Sequence, residues 1–152
     1  MSLPDQTIPG YPILQKTTTV NSQASKLWSI LTDPARIKTW LADGDIEVHS
    51  GWKKGSPIEF KGTLHGYDYF AKGTILELIP GKLLRYNSWN KIEELEDKPE
   101  NYSIFEFRLN ENGGKTELEF THSNLKAKAQ YEHSNMYWSV TLGLIKGMAE
   151  KP

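Results

Sequence analysis

Met136-Tyr137-Trp138-Ser139-Val140-Thr141-Leu142-Gly143-Leu144-Ile145-Lys146-Gly147-Met148 is the stretch whose reading decides the fold. Tyr137, Val140, Thr141, Leu144 and Met148 recur at helical spacing on one side, and Trp138, Leu142 and Ile145 widen that stripe. The periodicity predicts a helix from Leu125 to Glu150, about six turns long and the longest periodic segment of the chain. A helix this long with a broad apolar side needs a large surface to lie on. The preceding chain reads mostly as strands and supplies one, which predicts a curved sheet gripping a single long helix.

Working back from the helix, Lys115–His122 alternates cleanly, with Thr116, Leu118, Phe120 and His122 on one face and Lys115, Glu117, Glu119 and Thr121 on the other. Ser103, Phe105, Phe107 and Leu109 form the matching face of a strand over Tyr102–Leu109, across a turn at residues 110–114. Such hairpins bury one face and wet the other. Earlier strands are predicted over Asp45–His49, Pro57–Gly62, Tyr67–Ile79 and Leu83–Trp89, with Pro80-Gly81 as a turn. Residues 91–100 are charged and predict an exposed loop or short helical excursion. At the other end, Ile13–Val20 reads as a first strand. Two short helices follow. The first is capped by Asn21 or Ser22 and carries Ala24, Leu27, Trp28 and Leu31. The second is capped by Asp33, opens on Pro34 and carries Ile37, Trp40 and Leu41. Residues 1–12, with Pro4, Pro9, Gly10 and Pro12, read as an N-terminal arm ahead of one domain over 13–150. The predicted class is α+β: an antiparallel sheet of about six or seven strands wrapped around the C-terminal helix.

The chain has 152 residues, 38 % apolar and 24 % charged, which suits one globular domain with a core. A formal net charge of −1 gives no field to recruit nucleic acid. Cysteine is absent, which excludes disulfides, thiolate metal sites and cysteine nucleophiles, and fits a reducing cytoplasm. No signal peptide or membrane-spanning run is evident. His49, His65, His122 and His133 make no metal signature. There is no G-x-S-x-G elbow, Ser–His–Asp set or phosphate loop, so no catalytic residue, metal or organic cofactor is assigned. Glu93, Glu94, Glu96 and Asp97 read as a solvated acidic run, and Lys53, Lys54 and Lys61 as a basic rim.

The local motifs carry a resemblance. Trp28-Ser-Ile-Leu-Thr-Asp-Pro34 with Ile37 and Trp40 resembles an opening motif, and Gly73-Thr-Ile-Leu-Glu-Leu-Ile-Pro80 with Leu84-Arg-Tyr86 and Trp89 a central hairpin. Gly114-Lys-Thr-Glu-Leu-Glu-Phe-Thr-His122 resembles the strand before the last helix, and Tyr137-Trp138 the aromatic pair within it. Over about residues 13–149 the chain is thus similar to the SRPBCC superfamily (START-like, birch-pollen-allergen-like, the helix-grip fold), within it to homologues of the activator of heat shock protein 90 ATPase. The resemblance implies a cavity between helix and sheet for lipid-like or aromatic small molecules. It also implies a rival role, a chaperone or stress-response partner.

A pocket between sheet and helix would be lined by inward positions of both. The candidates are Trp40, Tyr69, Trp89, Phe105, Phe107, Phe120, His122, Tyr137, Thr141 and Leu144. The plainer alternative is that these side chains pack solid. Three functions stay open: a domain binding a small hydrophobic or aromatic ligand, a protein-interaction module acting as monomer or homodimer, and a cyclase- or hydrolase-like enzyme using His122 or a pocket Tyr as acid or base.

Overall fold

A computed structural model of the chain describes residues 12–41, 45–64 and 66–152. The predicted arm lies outside the described residues apart from Pro12, and so does His65. The elements in chain order are β1 (Leu14–Val20), α1 (Ala24–Thr32), α2 (Pro34–Leu41), β2 (Ile46–Ser50), β3 (Pro57–Leu64), β4 (Tyr67–Ile79), β5 (Leu83–Asn90), β6 (Ser103–Asn112), β7 (Lys115–Ser123) and α3 (Lys128–Glu150). Between β5 and β6 the acidic excursion holds two single 3₁₀ turns, Lys91–Glu93 and Pro99–Asn101. The strands form one seven-stranded antiparallel sheet in the order β1-β7-β6-β5-β4-β3-β2. This is the helix-grip arrangement: β2 to β7 meander, and β1 returns to the far edge to pair with β7, from Leu14↔His122 to Val20↔Thr116.

The alternation read along β6 and β7 is the alternation observed. Thr116, Leu118, Phe120 and His122 are all buried, as are Ser103, Phe107 and Leu109. Register sets Phe107 against Phe120 and Phe105 against His122, so the two inward rows meet residue by residue. Gly73 in β4 leaves room for β5 to approach: a Cβ there would lie 1.8 Å from the Asn87 carbonyl oxygen. The Asn87 side chain adds a bond across the pair by accepting the Thr74 N–H at 2.8 Å.

α2 starts as its sequence reads, with Asp33 Oδ1 accepting the Ala35 N–H at 3.0 Å. α1 does not. Neither Asn21 nor Ser22 caps it, and Gln23 occupies the cap position with no side-chain bond. A carboxylate from far along the chain serves instead: Glu111 accepts the Ala24 N–H at 2.7 Å, and Glu150 accepts the N–H of Asn21, two residues ahead of the cap position, at 2.8 Å. Glu111 is thus a negative group at a positive helix end.

α3 begins at Lys128, three residues after the predicted start, and its phase differs from the predicted stripe. Ser134, Trp138, Thr141, Leu142, Ile145 and Ala149 are buried, whereas Met136, Val140 and Leu144 are 72 %, 63 % and 50 % exposed. Apolar residues run most of the way around this helix, so spacing alone left the phase open. Trp138 settles it, because its ring has the largest area to bury.

Candidate functional site

The inner face of the sheet has two ends of different character. At one end Ile75, Leu84, Phe107, Leu118 and Phe120 are buried and apolar. Phe120 packs 5.2 Å from Phe107 and 4.4 Å from Trp138 by ring centroids, and Trp138 reaches across to Trp40 at 6.1 Å. The Trp40 ring N–H donates to the Ile30 carbonyl at 2.9 Å, whereas the buried Trp138 ring N–H makes no hydrogen bond to a described residue. The space left beside it is a cavity of about 10 Å³ lined by Leu31, Trp52, Phe60, Leu84, Tyr86 and Phe107, room for about one water.

The other end carries polar groups. β5 turns Tyr86 and Ser88 inward, and β6 adds Ser103 and Phe105. β7 adds His122, β4 adds Tyr69, and α3 closes over them with Ser134, Tyr137 and Thr141. His122 Nδ1 lies 2.6 Å from Ser134 Oγ and Nε2 lies 2.8 Å from Ser103 Oγ. A neutral imidazole has one N–H, so one serine receives a hydrogen bond from the ring and the other donates to it. Burial drives the His122 pKa down to about 3. The ring is therefore neutral at physiological pH, with both nitrogens engaged and Phe105 stacked on it at 3.9 Å. His122 supports the wall of the site from behind and offers no open nitrogen for acid–base work.

Tyr86 stacks on the other side of Phe105 at 5.3 Å and is only 7 % exposed. Its hydroxyl makes no hydrogen bond to any described residue, nor does that of Ser88 or the deeply buried Thr141. An unpaired buried hydroxyl costs on the order of 1–3 kcal/mol. Tyr69 is half-buried, but its hydroxyl end is withdrawn from water and likewise unpaired among the described residues. Burial, with the neighbouring phenols Tyr69 and Tyr137, raises the Tyr86 pKa, and burial with Tyr137 and Glu93 raises that of Tyr69. The three phenols are thus near neighbours. The Tyr137 hydroxyl donates to the Leu41 carbonyl, tying α3 to the end of α2. On the rim, Glu93 accepts from Gln130 Nε2 at 3.0 Å. Crowding by protein around its carboxyl raises the Glu93 pKa, against Gln130, His133 and Asn90, which lower it.

The predicted pocket residues therefore divide. Tyr69, Phe105, Tyr137, Thr141 and His122 come together at the polar end. Phe107 and Phe120, both 2 % exposed or less, and Trp40 pack solid at the other. Two positions are corrected. Leu144 points away from the sheet, for the reason of helix phase given above. Trp89 has the opposite parity to Tyr86 and Ser88 and so sits on the outer face. There the acidic excursion folds over it: its ring N–H donates to the Leu95 carbonyl at 2.9 Å, and the Lys72 ammonium lies 5.8 Å from its ring. Tyr86, Ser88, Ser103 and Ser134 escaped the sequence reading of the site. Leu84, Tyr86 and Ser88 share one parity, and that signal pointed to Tyr86 over Trp89.

A wider groove of about 420 Å³ lies on the outer face, between β3, β4, β5 and the excursion. Its charges are already matched. Lys72 pairs with Asp97 at 2.6 Å, Tyr102 donates to Asp97 at 2.6 Å, and Glu59 faces Lys61 at 3.5 Å. With its charged groups matched and its face open to water, it is the weaker candidate despite its size. The predicted basic rim is likewise dispersed, since Lys54 pairs with Glu77 and Lys61 with Glu59 on the outer side. Among the described residues no group of three or more His, Asp or Glu could hold a metal ion, and no helix is long and apolar enough to cross a membrane.

Comparison with known proteins places the fold. A Cytophaga hutchinsonii protein solved in solution is 31 % identical, with 94 % of this chain and 97 % of that one covered at a TM-score of 0.80. CalU16 from Micromonospora echinospora is 25 % identical over 91 % of this chain and 76 % of that one, at a TM-score of 0.68. The Aha1 dimer from Colwellia psychrerythraea is 22 % identical over 92 % and 97 %, at 0.72. No curated protein sequence matches the chain. The family model described as Activator of Hsp90 ATPase homolog 1-like protein matches residues 21–150, and the chain belongs to that family.

Proposed function

We propose that the chain binds a small, mainly apolar molecule at the polar end of its inner face, beneath the first half of α3. The observation that carries this reading is the Tyr86 hydroxyl, buried without a hydrogen-bond partner among the described residues beside the half-exposed ring of Phe105. A ligand oxygen would satisfy that hydroxyl, while Phe105 and Tyr137 would bury its apolar body at roughly 25 cal/mol per Å² before ordering costs. With about 10 Å³ free in the adjoining interior, room comes from outward rotation of the half-buried rings on the rim. Native mass spectrometry of freshly purified protein should reveal an excess mass released on denaturation. An apo mass, combined with no amide shifts around residues 86, 105 and 137 on adding 2-ethylnaphthalene, overturns the reading. A cytoplasmic setting fits the cysteine-free sequence, and cell fractionation checks it.

A second reading, a protein-interaction module, draws on the family and on the exposed row Met136, Val140 and Leu144 of α3. Under it, Val140→Glu with Leu144→Glu should abolish self-association or partner capture and leave small-molecule binding intact. Sedimentation of the unsubstituted chain as a monomer at all concentrations, with no partner retained, would sink this alternative.

A further inference from the structure

Among the described residues, the polar end of the inner face is lined by hydroxyl donors and aromatic rings, and by no cation. Tyr69, Tyr86 and Ser88 face it with hydroxyls unpaired among the described residues, and Phe105, stacked between Tyr86 and His122, adds the partly exposed edge of its ring. No Lys or Arg occupies an inward position of β4, β5 or β6, because Lys72, Arg85 and Arg108 all point outward, where they pair with Asp97 or Glu106. Among the described residues, the one charged group close to the phenols is an anion, Glu93, held by Gln130. A carboxylate or phosphate brought here would lose its hydration, meet no counter-ion and face Glu93, which is an unfavourable exchange. An ammonium would find rings and Glu93, but it would leave the phenol hydrogens unpaired and compete with the bond Gln130 already makes. An uncharged acceptor oxygen, with two lone pairs, takes both phenol hydrogens and needs no counter-ion.

We propose, resting on the ligand-binding reading above, that the ligand class is an uncharged aromatic molecule bearing a carbonyl-type acceptor oxygen. The Tyr86 and Tyr69 hydroxyls donate to that oxygen, and the flat body packs edge-on against the partly exposed ring of Phe105, whose faces His122 and Tyr86 already cover. Tyr86 and Tyr69 are thus specificity-determining residues: the rings bind any flat hydrocarbon, and the phenol hydrogens select the carbonyl.

Four naphthalenes of one shape test this: 2-acetylnaphthalene (neutral ketone), 2-ethylnaphthalene (no acceptor), 2-naphthoate (anion) and protonated 1-(2-naphthyl)ethylamine (cation). Each is titrated into the full chain and followed by amide shifts. The ketone should bind about tenfold tighter than the hydrocarbon, the factor one ordinary hydrogen bond supplies, and tighter than either ion. Tyr86→Phe should cancel that preference without changing the hydrocarbon's affinity, and Tyr69→Phe should reduce it. If the hydrocarbon binds and the ketone gains nothing, or either ion binds best, the proposal fails while the ligand-binding reading survives. If none of the four shifts residues 86, 105 or 137, both fall. Should Tyr86→Phe weaken ketone and hydrocarbon equally, the hydroxyl is structural and the assignment is overturned.

Discussion

The two ends of the inner face are built from the same strands and closed by the same helix, yet they solve opposite problems. Around Phe120 the side chains are apolar but for two indole N–H groups, of which that of Trp40 is satisfied by Ile30 and that of Trp138 has no hydrogen-bond partner among the described residues. Around Tyr86 the sheet buries hydroxyls and an imidazole, and only part of that polarity is paired. His122, Ser103 and Ser134 satisfy one another, while Tyr86, Ser88 and Thr141 do not find partners among the described residues. The closed end buries little polarity and sets stability. The open end carries an unmet cost, the usual mark of a place where something else completes the structure.

The comparison can be broken at its strongest point first. Phe120→Ala removes a fully buried ring from contact with Phe105, Phe107 and Trp138, and should lower unfolding free energy by about 3–5 kcal/mol in urea titration. A loss under about 1 kcal/mol would mean the closed end is loosely packed after all. The next test concerns His122. Its pKa is about 3 in the folded chain against an ordinary 6.5, so the unfolded chain binds the extra proton between those values. Its contribution to stability is complete above about pH 6.5 and is lost as pH falls toward 3, with a slope of up to about 1.4 kcal/mol per pH unit. His122→Gln should flatten that slope, measured by urea titration from pH 7 to pH 4. An unchanged slope would move the acid sensitivity elsewhere.

Tyr86→Phe sharpens the contrast with smaller numbers. Removing a hydroxyl that lacks a partner should leave stability within about 1 kcal/mol, on the stabilising side, whereas Ser103→Ala should cost about 1–3 kcal/mol by stranding a ring nitrogen of His122. Equal losses for the two would erase the distinction between the paired and unpaired parts of the open end. The smallest effect is expected at Leu144→Lys, within about 0.5 kcal/mol by thermal melting, because its side chain is half-exposed on the far side of α3.

How much of this was legible beforehand depends on what each residue's position answers to. The β6 and β7 rows were readable because period-two alternation is a local property, and Thr116 to His122 alternates without a break. The excursion at 91–101, the Asp33 cap and the order of elements were readable for the same reason. The phase of α3 was not, since its buried stripe includes Ser134 and Ala149 and omits Val140 and Leu144. Hydrophobicity ranks those pairs the other way, and only the shape of the sheet beneath decides between them. Trp89 misled because its size suggested an interior place. A segment that follows it in sequence folds back to cover it on the outside, which no local pattern announces. The site itself was half visible: Tyr69, Phe105, Tyr137 and Thr141 were found by parity and spacing. Whether their polar atoms would be satisfied depends on distances between four elements, and that information is not carried by any one stretch.

The pairing of β1 with β7 also sets a schedule. As the chain leaves the ribosome, β1 comes early, but the strand that bonds it, from Thr116 to His122, follows about a hundred residues later. The turn that leads from β1 into α1 waits still longer, for Glu150. The first strand and the first helix must therefore linger unfinished while β2 to β6 zip together neighbour by neighbour, a high-contact-order sequence that favours slow final closure. During that interval Leu14–Val20 presents a bare, β-branched ribbon in a crowded cell. The chain's period of greatest exposure to misassembly falls in the gap between its first strand and its last, and a chaperone acting there would hold the opening segment until the closing one arrives.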